Sequence, residues 1–453
     1  MRQNKKYLFE AMPIPRAYLN LSIPVILSSL VTMLYNLADT FFVGMLNDPV
    51  QNAAVTLVFP VTLAFNAVNN LFGVGASSMM SRCLGAGKEE KVRITSAFGF
   101  YGALFSGILF SLFCTLFRNP LLKILGADGE TLQATGQYLL WTVTAGAAPT
   151  ILNVVQSYLV RSEGAAIHAS IGTMSGCLLN IALDPIFILP WGLHMGAAGA
   201  GLATFLSNLA ACTYFILLAL FKKKKTYVSM DIRRLKKLSR DVVLGVTTVG
   251  FPALVQNLVN VLGATILNNF TAGFGAAAVA AMGISQKLHA FVVQIMMGAG
   301  QGIMPLVSYN YTAGNRRRMK NSILFALGLI VPIGVVLTAF YWLKAPFLIH
   351  LFIDNSEIVA IGTRLLRLMC LSMMCLSVDF TTVGVFQALG MGRYAFLYAM
   401  IRKIRMEMPL LILLNRLCPL YGLPGAQVLS ELTLAITSVF MLRRIFKNSP
   451  DLK

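Results

Sequence analysis

Long apolar runs separated by short polar segments fill almost the whole chain and constrain its fold more than any other feature. Of the 453 residues, 57% are hydrophobic and only 12% are charged, whereas soluble globular chains carry about 25% charged residues. A helix that crosses the hydrocarbon core of a bilayer needs roughly 20 mostly apolar residues, and the runs divide into about twelve such pieces. The pattern predicts an all-α integral membrane protein with helices at residues 17–44, 53–81, 94–117, 132–160, 166–190, 196–221, 242–270, 276–311, 321–343, 357–389, 394–415 and 423–444.

The basic residues are concentrated at alternate ends of these predicted helices. The formal net charge of +20 would suggest nucleic-acid binding in a soluble protein. Here, however, Lys and Arg are clustered in every second segment that connects two apolar runs, most densely at residues 222–240. The intervening segments 46–52, 189–195 and 271–277 contain none. The positive-inside rule therefore predicts a multi-pass protein with both termini in the cytoplasm and no nucleic-acid partner.

The sequence contains no residue pattern that is typical of an enzyme or of a metal centre. The seven Cys lie singly inside apolar runs, and the four His are widely scattered. Neither set has the spacing of a metal site or of a disulfide framework. We also see no pairing of a nucleophile with a base. The sequence therefore predicts a protein that is not an enzyme and holds no cofactor.

The chain contains an internal repeat with a spacing of about 226 residues, which is half its length. The recurring landmarks are Ile23-Pro24 as Phe251-Pro252, Gly73-Val74-Gly75 as Gly298-Ala299-Gly300, and Gly199 as Gly425. Each half holds six predicted helices, and because six is even the halves are parallel repeats. The sequence thus predicts an N-terminal lobe at 1–221, a basic cytoplasmic linker at 222–240 and a C-terminal lobe at 241–453. We expect the linker to be solvated, with some affinity for anionic lipid headgroups.

Two carboxylates lie inside predicted helices of the first half, where an ionisable side chain is costly and is by default a functional hypothesis. At 1.5 Å per residue, Asp39 lies roughly 30 Å along its helix and Asp184 roughly 27 Å along a second helix of the same direction. Tyr35 and Asn180 each precede one of these acids by four residues and share its helix face. Thr204 falls at a similar depth. Together they predict an oxygen-lined pocket for a hard cation or protons, although hydrogen bonding between helices is the alternative role for Asn180 and Thr204.

The second half has a different set of ionisable residues. The counterpart of the Asp39 region, residues 265–269, contains no acid. Asp379, Arg402 and Glu407 are the candidates for a cavity in this half. They could line the cavity, pair with one another or extend their side chains to the cytoplasmic face.

Six sequence segments, in order, resemble the multidrug and toxic compound extrusion (MATE) family, and most closely its DinF-like and staphylococcal-type bacterial branch. They are residues 35–44 (YNLADTFFVG), 73–76 (GVGA), 85–87 (GAG), 161–164 (RSEG), 180–185 (NIALDP) and 196–200 (GAAGA). The resemblance implies two six-helix lobes in a V shape around a central cavity. It also implies a secondary antiporter of the bacterial inner membrane, exporting cationic drugs in exchange for sodium ions or protons. We expect it to act as a monomer among membrane lipids.

The resemblance also assigns roles to individual residues. Asp39, Asn180, Asp184 and Thr204 match the family's first-lobe cation site, which would hold sodium if the transporter is sodium-coupled, with Tyr35 beside it. Pro24 matches a proline associated with bending of the first helix. Some relatives carry an acid near the position of Gln256, and its absence here argues against a second-lobe cation site at that position.

A lipid-linked oligosaccharide flippase of the same superfamily is the alternative function. Flippases of this kind commonly use a strongly cationic cavity to hold pyrophosphate. In this chain the ionisable residues of the first half are acidic, and basic groups concentrate on a single helix of the second half. This distribution favours antiport.

Overall fold

The computed structural model describes residues 2–222 and 225–447, and within them the chain is helical without β-strands. Residues 223 and 224 of the predicted linker, Met1 and the last six residues of the predicted second lobe lie outside this described part. The α-helices are α1 Arg2–Glu10, α2 Ile14–Gly44, α3 Pro49–Asn69, α4 Gly75–Gly85, α5 Glu89–Leu116, α6 Arg118–Ile124, α7 Thr131–Leu139, α8 Ala147–Ser162, α9 Ala166–Ile188, α10 Ala197–Phe221, α11 Arg240–Ala272, α12 Ala276–Thr312, α13 Arg316–His350, α14 Ser356–Cys370, α15 Ser372–Ala388, α16 Gly392–Met400, α17 Met408–Leu417 and α18 Gly422–Lys447.

Short π-helical segments at Asn70–Val74, Leu140–Ala145 and Ile401–Glu407 continue α3, α7 and α16, and a 3-10 turn covers Ile232–Lys237. Nine helices of the described residues are long and apolar enough to cross a membrane, and two further spans are helix pairs bent by 47° and 41°. The remaining predicted span corresponds to α16, its π segment and α17, which carry several charges. The predicted all-α membrane fold is confirmed.

Helix ends follow local sequence signals. Asp48 caps α3, its side chain accepting a hydrogen bond from the Val50 amide at 2.8 Å, and Pro49 occupies the first turn. Gly196 precedes α10 with φ +57°, and a Cβ there would lie 2.6 Å from Oε1 of Gln51. That same oxygen accepts a hydrogen bond from the Ala197 amide at 2.8 Å. Glycine is therefore required where the chain enters α10, one of the helices of the candidate site.

The helices form two compact units. The first comprises Met1–Leu8 with Leu27–Leu254, and the second comprises Phe9–Ile26 with Val255–Lys453. All three divisions fall inside helices: between Leu8 and Phe9 in α1, two residues after Pro24 in α2 and two residues after Pro252 in α11. The units therefore differ from the predicted lobes because the beginnings of α2 and α11 belong to the other unit. The proposed bending role of Pro24 stays a prediction.

The segment that follows α10 packs into the first unit instead of lying free in solvent. Glu163 is only 3% exposed, and its carboxylate accepts hydrogen bonds from the Thr226 hydroxyl at 2.8 Å and the Tyr227 amide at 2.6 Å. The Ser229 amide donates to Ser96 at 3.0 Å, and Val228 is buried in the core. The solvated linker predicted from charge is thus correct only for its more exposed basic turn, because uncharged residues 226–228 supply apolar surface and backbone donors.

Candidate functional site

The structure brings together the residues predicted for the first half of the chain. Tyr35 and Asp39 lie on α2, Asn180 and Asp184 on α9, and Thr204 on α10, all within the first unit. Asn180 is 1% exposed and Asp184 is fully buried. Long apolar helices surround these polar groups with low-dielectric material, so each of them needs a partner or an exchangeable ligand.

Asn180 connects the other members of the site. In the amide orientation that satisfies both of its polar atoms, its amide nitrogen donates to Oδ2 of Asp184 at 3.0 Å, and its oxygen accepts from the Thr204 backbone at 3.1 Å. The Tyr35 hydroxyl lies close to the Thr204 side chain. The amide therefore holds α9 and α10 together, as the interhelical alternative predicted, and it also orients the Asp184 carboxylate.

The two carboxylates have unused acceptor capacity. Oδ1 of Asp39 and Oδ1 of Asp184 are buried and have no hydrogen-bonding partner within the described residues. The two acids are close enough to interact electrostatically, and Tyr138 lies near both. Within the described residues, no basic side chain acts electrostatically on either acid. Two charged carboxylates without a counter-ion are unstable in such surroundings, so the arrangement favours uptake of a proton or a cation.

A small cavity of about 30 Å³ lies beside the site, against Tyr35, Asn180 and Thr204, and has room for about one water-sized particle. Its polar lining includes Tyr35, Asn180 and Thr204, together with Asn153 and Asn208, which the sequence analysis missed. Asn153 donates to Asn208 at 2.9 Å, and Asn208 donates to the Thr204 carbonyl at 2.8 Å. Asn208 could have been predicted from the sequence, because it follows Thr204 by four residues and therefore shares its face of α10. Asn153 lies on α8, and its proximity to α10 depends on tertiary packing.

The donor set fits a hard monovalent cation or protons better than a transition metal. The described residues contain no group of three or more His, Cys, Asp or Glu side chains that could hold a metal ion. The orphaned oxygens of Asp39 and Asp184 and the Thr204 hydroxyl are oxygen ligands, which hard cations prefer. The residues predicted as a sodium site therefore supply the type of donor that sodium prefers.

The second unit contains a cluster of five charged side chains, four of them buried and Lys403 partly buried, which we call the α15–α18 cluster. It consists of Asp379, Arg402, Lys403, Glu407 and Glu431. Arg402 pairs with Glu431 at 2.8 Å, and Lys403 pairs with Glu407 at 2.6 Å. Of the roles left open by the sequence, pairing is the one that the structure shows for Arg402 and Glu407.

Asp379 completes this cluster without a direct salt bridge. Its Oδ1 accepts hydrogen bonds from the Tyr398 hydroxyl at 2.6 Å and the Ser438 hydroxyl at 3.2 Å, while Oδ2 has no partner in the described part of the chain. Glu431 was not predicted, although it is the only acid in α18. Gln256 is half-buried in α11 and lies outside this hydrogen-bonded cluster.

Buried acidic and polar side chains set in a chain of long apolar helices are typical of a membrane transporter. The MatE family model matches this chain twice, at residues 24–186 and 252–413. The two matches coincide with the two halves of the predicted repeat. The chain therefore belongs to the MATE family of transporters, as the sequence motifs predicted, and it is not an enzyme.

Full-length relatives support the same assignment. The chain is 31% identical over 447 residues to the multidrug export protein MepA of Staphylococcus saprophyticus, covering 98% of this chain and 97% of that protein. It is 32% identical over the same length to MepA of Staphylococcus aureus.

Solved structures agree with these relatives. A structure described as an outward-facing multidrug resistance MATE family transporter of the MOP superfamily matches with a TM-score of 0.91 at 25% identity, covering 98% of each chain. A MOP superfamily transporter from Pyrococcus furiosus, described as having a binding pocket of reverse polarity, matches with a TM-score of 0.90 at 26% identity and the same coverage.

Proposed function

We propose that this transporter exports organic cations across the cytoplasmic membrane in exchange for protons or sodium ions bound between Asp39 and Asp184. The observation that carries the proposal is the pair of buried carboxylates with unpaired oxygens and no basic neighbour. The staphylococcal relatives are named as multidrug export proteins. A cationic substrate is chemically consistent with a site that has unsatisfied negative charge.

The exchange follows from competition for the two carboxylates. A proton or sodium ion that neutralises the pair stabilises one conformation, and release of that ion allows another conformation to be populated. Coupling requires only that the two conformations differ in affinity for both ligands. Asn180 would keep Asp184 oriented through this cycle because its amide can donate to the carboxylate whenever the carboxylate is ionised.

The driving force depends on stoichiometry. One proton exchanged for one monovalent organic cation moves no net charge, so only the pH gradient drives export, at about 1.4 kcal/mol per pH unit. A second proton would add roughly 2.3 kcal/mol per 100 mV of membrane potential.

The test is ethidium export by proteoliposomes under a pH gradient or a sodium gradient, applied separately. Asp39→Asn and Asp184→Asn should each abolish gradient-driven export. Asp128→Asn is the matched control, because Asp128 is an exposed acid outside the site. Export by both site variants at the wild-type rate would refute the carboxylate mechanism.

The flippase alternative is less well supported. Such a transporter would need an excess of cationic groups for a pyrophosphate. In the first-unit site the ionisable groups are acidic, and in the α15–α18 cluster three carboxyl groups face two basic groups. Neither the first-unit site nor the α15–α18 cluster supplies the net positive charge that pyrophosphate requires.

A further inference from the structure

A cleft between the last turns of α13 and one face of α14 has no part in the function proposed above. It encloses about 540 Å³, within the range of ligand pockets, and lies wholly in the second unit. Its walls include Pro346 and Val359 on opposite helices, and two arginines, Arg364 and Arg367, line it one helical turn apart on α14.

The two guanidinium groups have unused donors. Nε of Arg367 donates to the Trp342 carbonyl at 3.1 Å, and its two terminal amino groups have no partner in residues 2–222 or 225–447. The Arg364 guanidinium forms no hydrogen bond or ion pair with the described residues, and it lies 5.8 Å from the Tyr421 ring centre. Five-donor guanidinium groups are well suited to bind a phosphate through paired hydrogen bonds.

A buried hydroxyl adds a further unsatisfied donor. Thr363 lines the same cleft and is 9% exposed, and its Oγ1 has no partner among the described residues. The lining holds one carboxylate, Asp354, against two arginines, and this carboxylate is 94% exposed and lies 3.2 Å from the His350 ring. The cleft is therefore positively charged, with donors left over for an anion.

The helix lengths place this cleft at the level of the lipid headgroups. Counting about 20 residues of hydrocarbon span along α13 from Ser322 reaches Trp342, and counting about 20 back along α15 and α14 from Ala388 reaches Arg367. The two counts are independent. They end at Trp342 and Arg367, which are hydrogen-bonded to each other, so both counts lead to the same depth. Exposed Leu343 and Phe347 next to the cleft offer apolar surface to acyl chains.

We propose that this cleft binds the headgroup of an anionic phospholipid, whose phosphate is held by Arg364 and Arg367 and accepts a hydrogen bond from Thr363. The phosphate of a lipid is favoured over a free anion because the donors lie at headgroup depth beside apolar surface. A zwitterionic lipid binds more weakly because its cationic group meets the positive charge of the cleft.

The experiment uses the full-length protein, delipidated in detergent, with bound lipid counted by native mass spectrometry. Phosphatidylglycerol should bind more tightly than phosphatidylcholine. The double variant Arg364→Gln/Arg367→Gln should weaken phosphatidylglycerol binding about thirtyfold and phosphatidylcholine binding much less. Arg416→Gln, an exposed arginine at the end of α17, is the matched control and should bind as wild type does.

Three outcomes would overturn the proposal. They are full phosphatidylglycerol affinity in the double variant, an equal loss in the Arg416→Gln control, or displacement of the lipid by inorganic phosphate at matched concentration, which would identify a site for a free anion. If the double variant does not fold, the variant Thr363→Val tests the site instead. It preserves both charges and should weaken phosphatidylglycerol binding about fivefold, and unchanged affinity would overturn the site.

Discussion

Neutralising a base of the α15–α18 cluster should destabilise the transporter far more than neutralising an acid. Asp379, Glu407 and Glu431 face Arg402 and Lys403, so the cluster has one more acid than base. Arg402→Gln leaves three carboxyl groups with one ammonium group, whereas Glu431→Gln leaves two of each sign. Removing one partner of a buried ion pair typically costs about 3–5 kcal/mol. We expect Arg402→Gln to reach this range and Glu431→Gln to cost about 1 kcal/mol, because Arg402 keeps other carboxylates nearby.

Thermal unfolding of the purified variants in detergent measures this asymmetry. Lowering the pH should partly restore Arg402→Gln, since a bound proton removes the excess negative charge that this variant creates. The Lys403–Glu407 pair allows the same comparison to be made a second time. Lys403→Gln should lower the thermal stability more than Glu407→Gln does. If the acid and base variants of both pairs lose the same thermal stability, the excess of acids over bases does not determine the stability of the cluster.

Three further predictions concern the first unit. Asp39→Asn and Asp184→Asn should leave protein abundance in the membrane near normal, because neutralising a buried acid removes a desolvation cost; immunoblots of membrane fractions would show it, and loss of both proteins would contradict it. Gly250→Ala should cost about 1–3 kcal/mol, because its Cβ would clash with the Leu71 carbonyl, whereas Gly283→Ala meets open space and should melt as wild type does. Lys236→Cys, at an exposed position of the basic turn, should be protected from a membrane-impermeant thiol reagent in intact cells on a Cys-less background, and labelling there would reverse the proposed orientation.

The sequence predicted those parts of the site that depend on position within a single helix. Asn180 and Asp184 are four residues apart, so they had to share a face of α9, and the structure joins them through a hydrogen bond. Tyr35 and Asp39 follow the same rule on α2. The convergence of α2, α9 and α10 was inferred from equal depth in the membrane, which is a weaker argument. The structure places the part of α2 that carries Tyr35 and Asp39 in the same unit as α9 and α10.

The parts that were missed depend on which helices are neighbours. Asn153 and Glu431 are isolated polar residues in apolar helices, and no periodicity shows that Asn153 meets Asn208 or that Glu431 meets Arg402. The burial of Glu163 beneath residues 226 and 227 was also hidden, because the linker was judged by its charge. The π segment at Ile401–Glu407 has no sequence signature, although it carries three of the five cluster residues.

The two units differ in how their buried acids are neutralised, and this difference explains why the proposed exchange is assigned to the first unit. In the α15–α18 cluster, Glu407 and Glu431 each have a basic partner fixed to the chain, so taking up a proton or a cation would break an ion pair already formed. Asp379, the third acid, accepts hydrogen bonds from Tyr398 and Ser438 and is close enough to Arg402 to interact electrostatically. At the first-unit site, Asp184 has only the neutral amide of Asn180, and Oδ1 of Asp39 has no hydrogen-bonding partner among the described residues. Neutralisation there must come from a mobile ion, and a mobile ion can be exchanged. Placing a lysine beside Asp39 or Asp184 should therefore produce a stable protein that no longer couples, because the fixed charge would occupy the position of the ion.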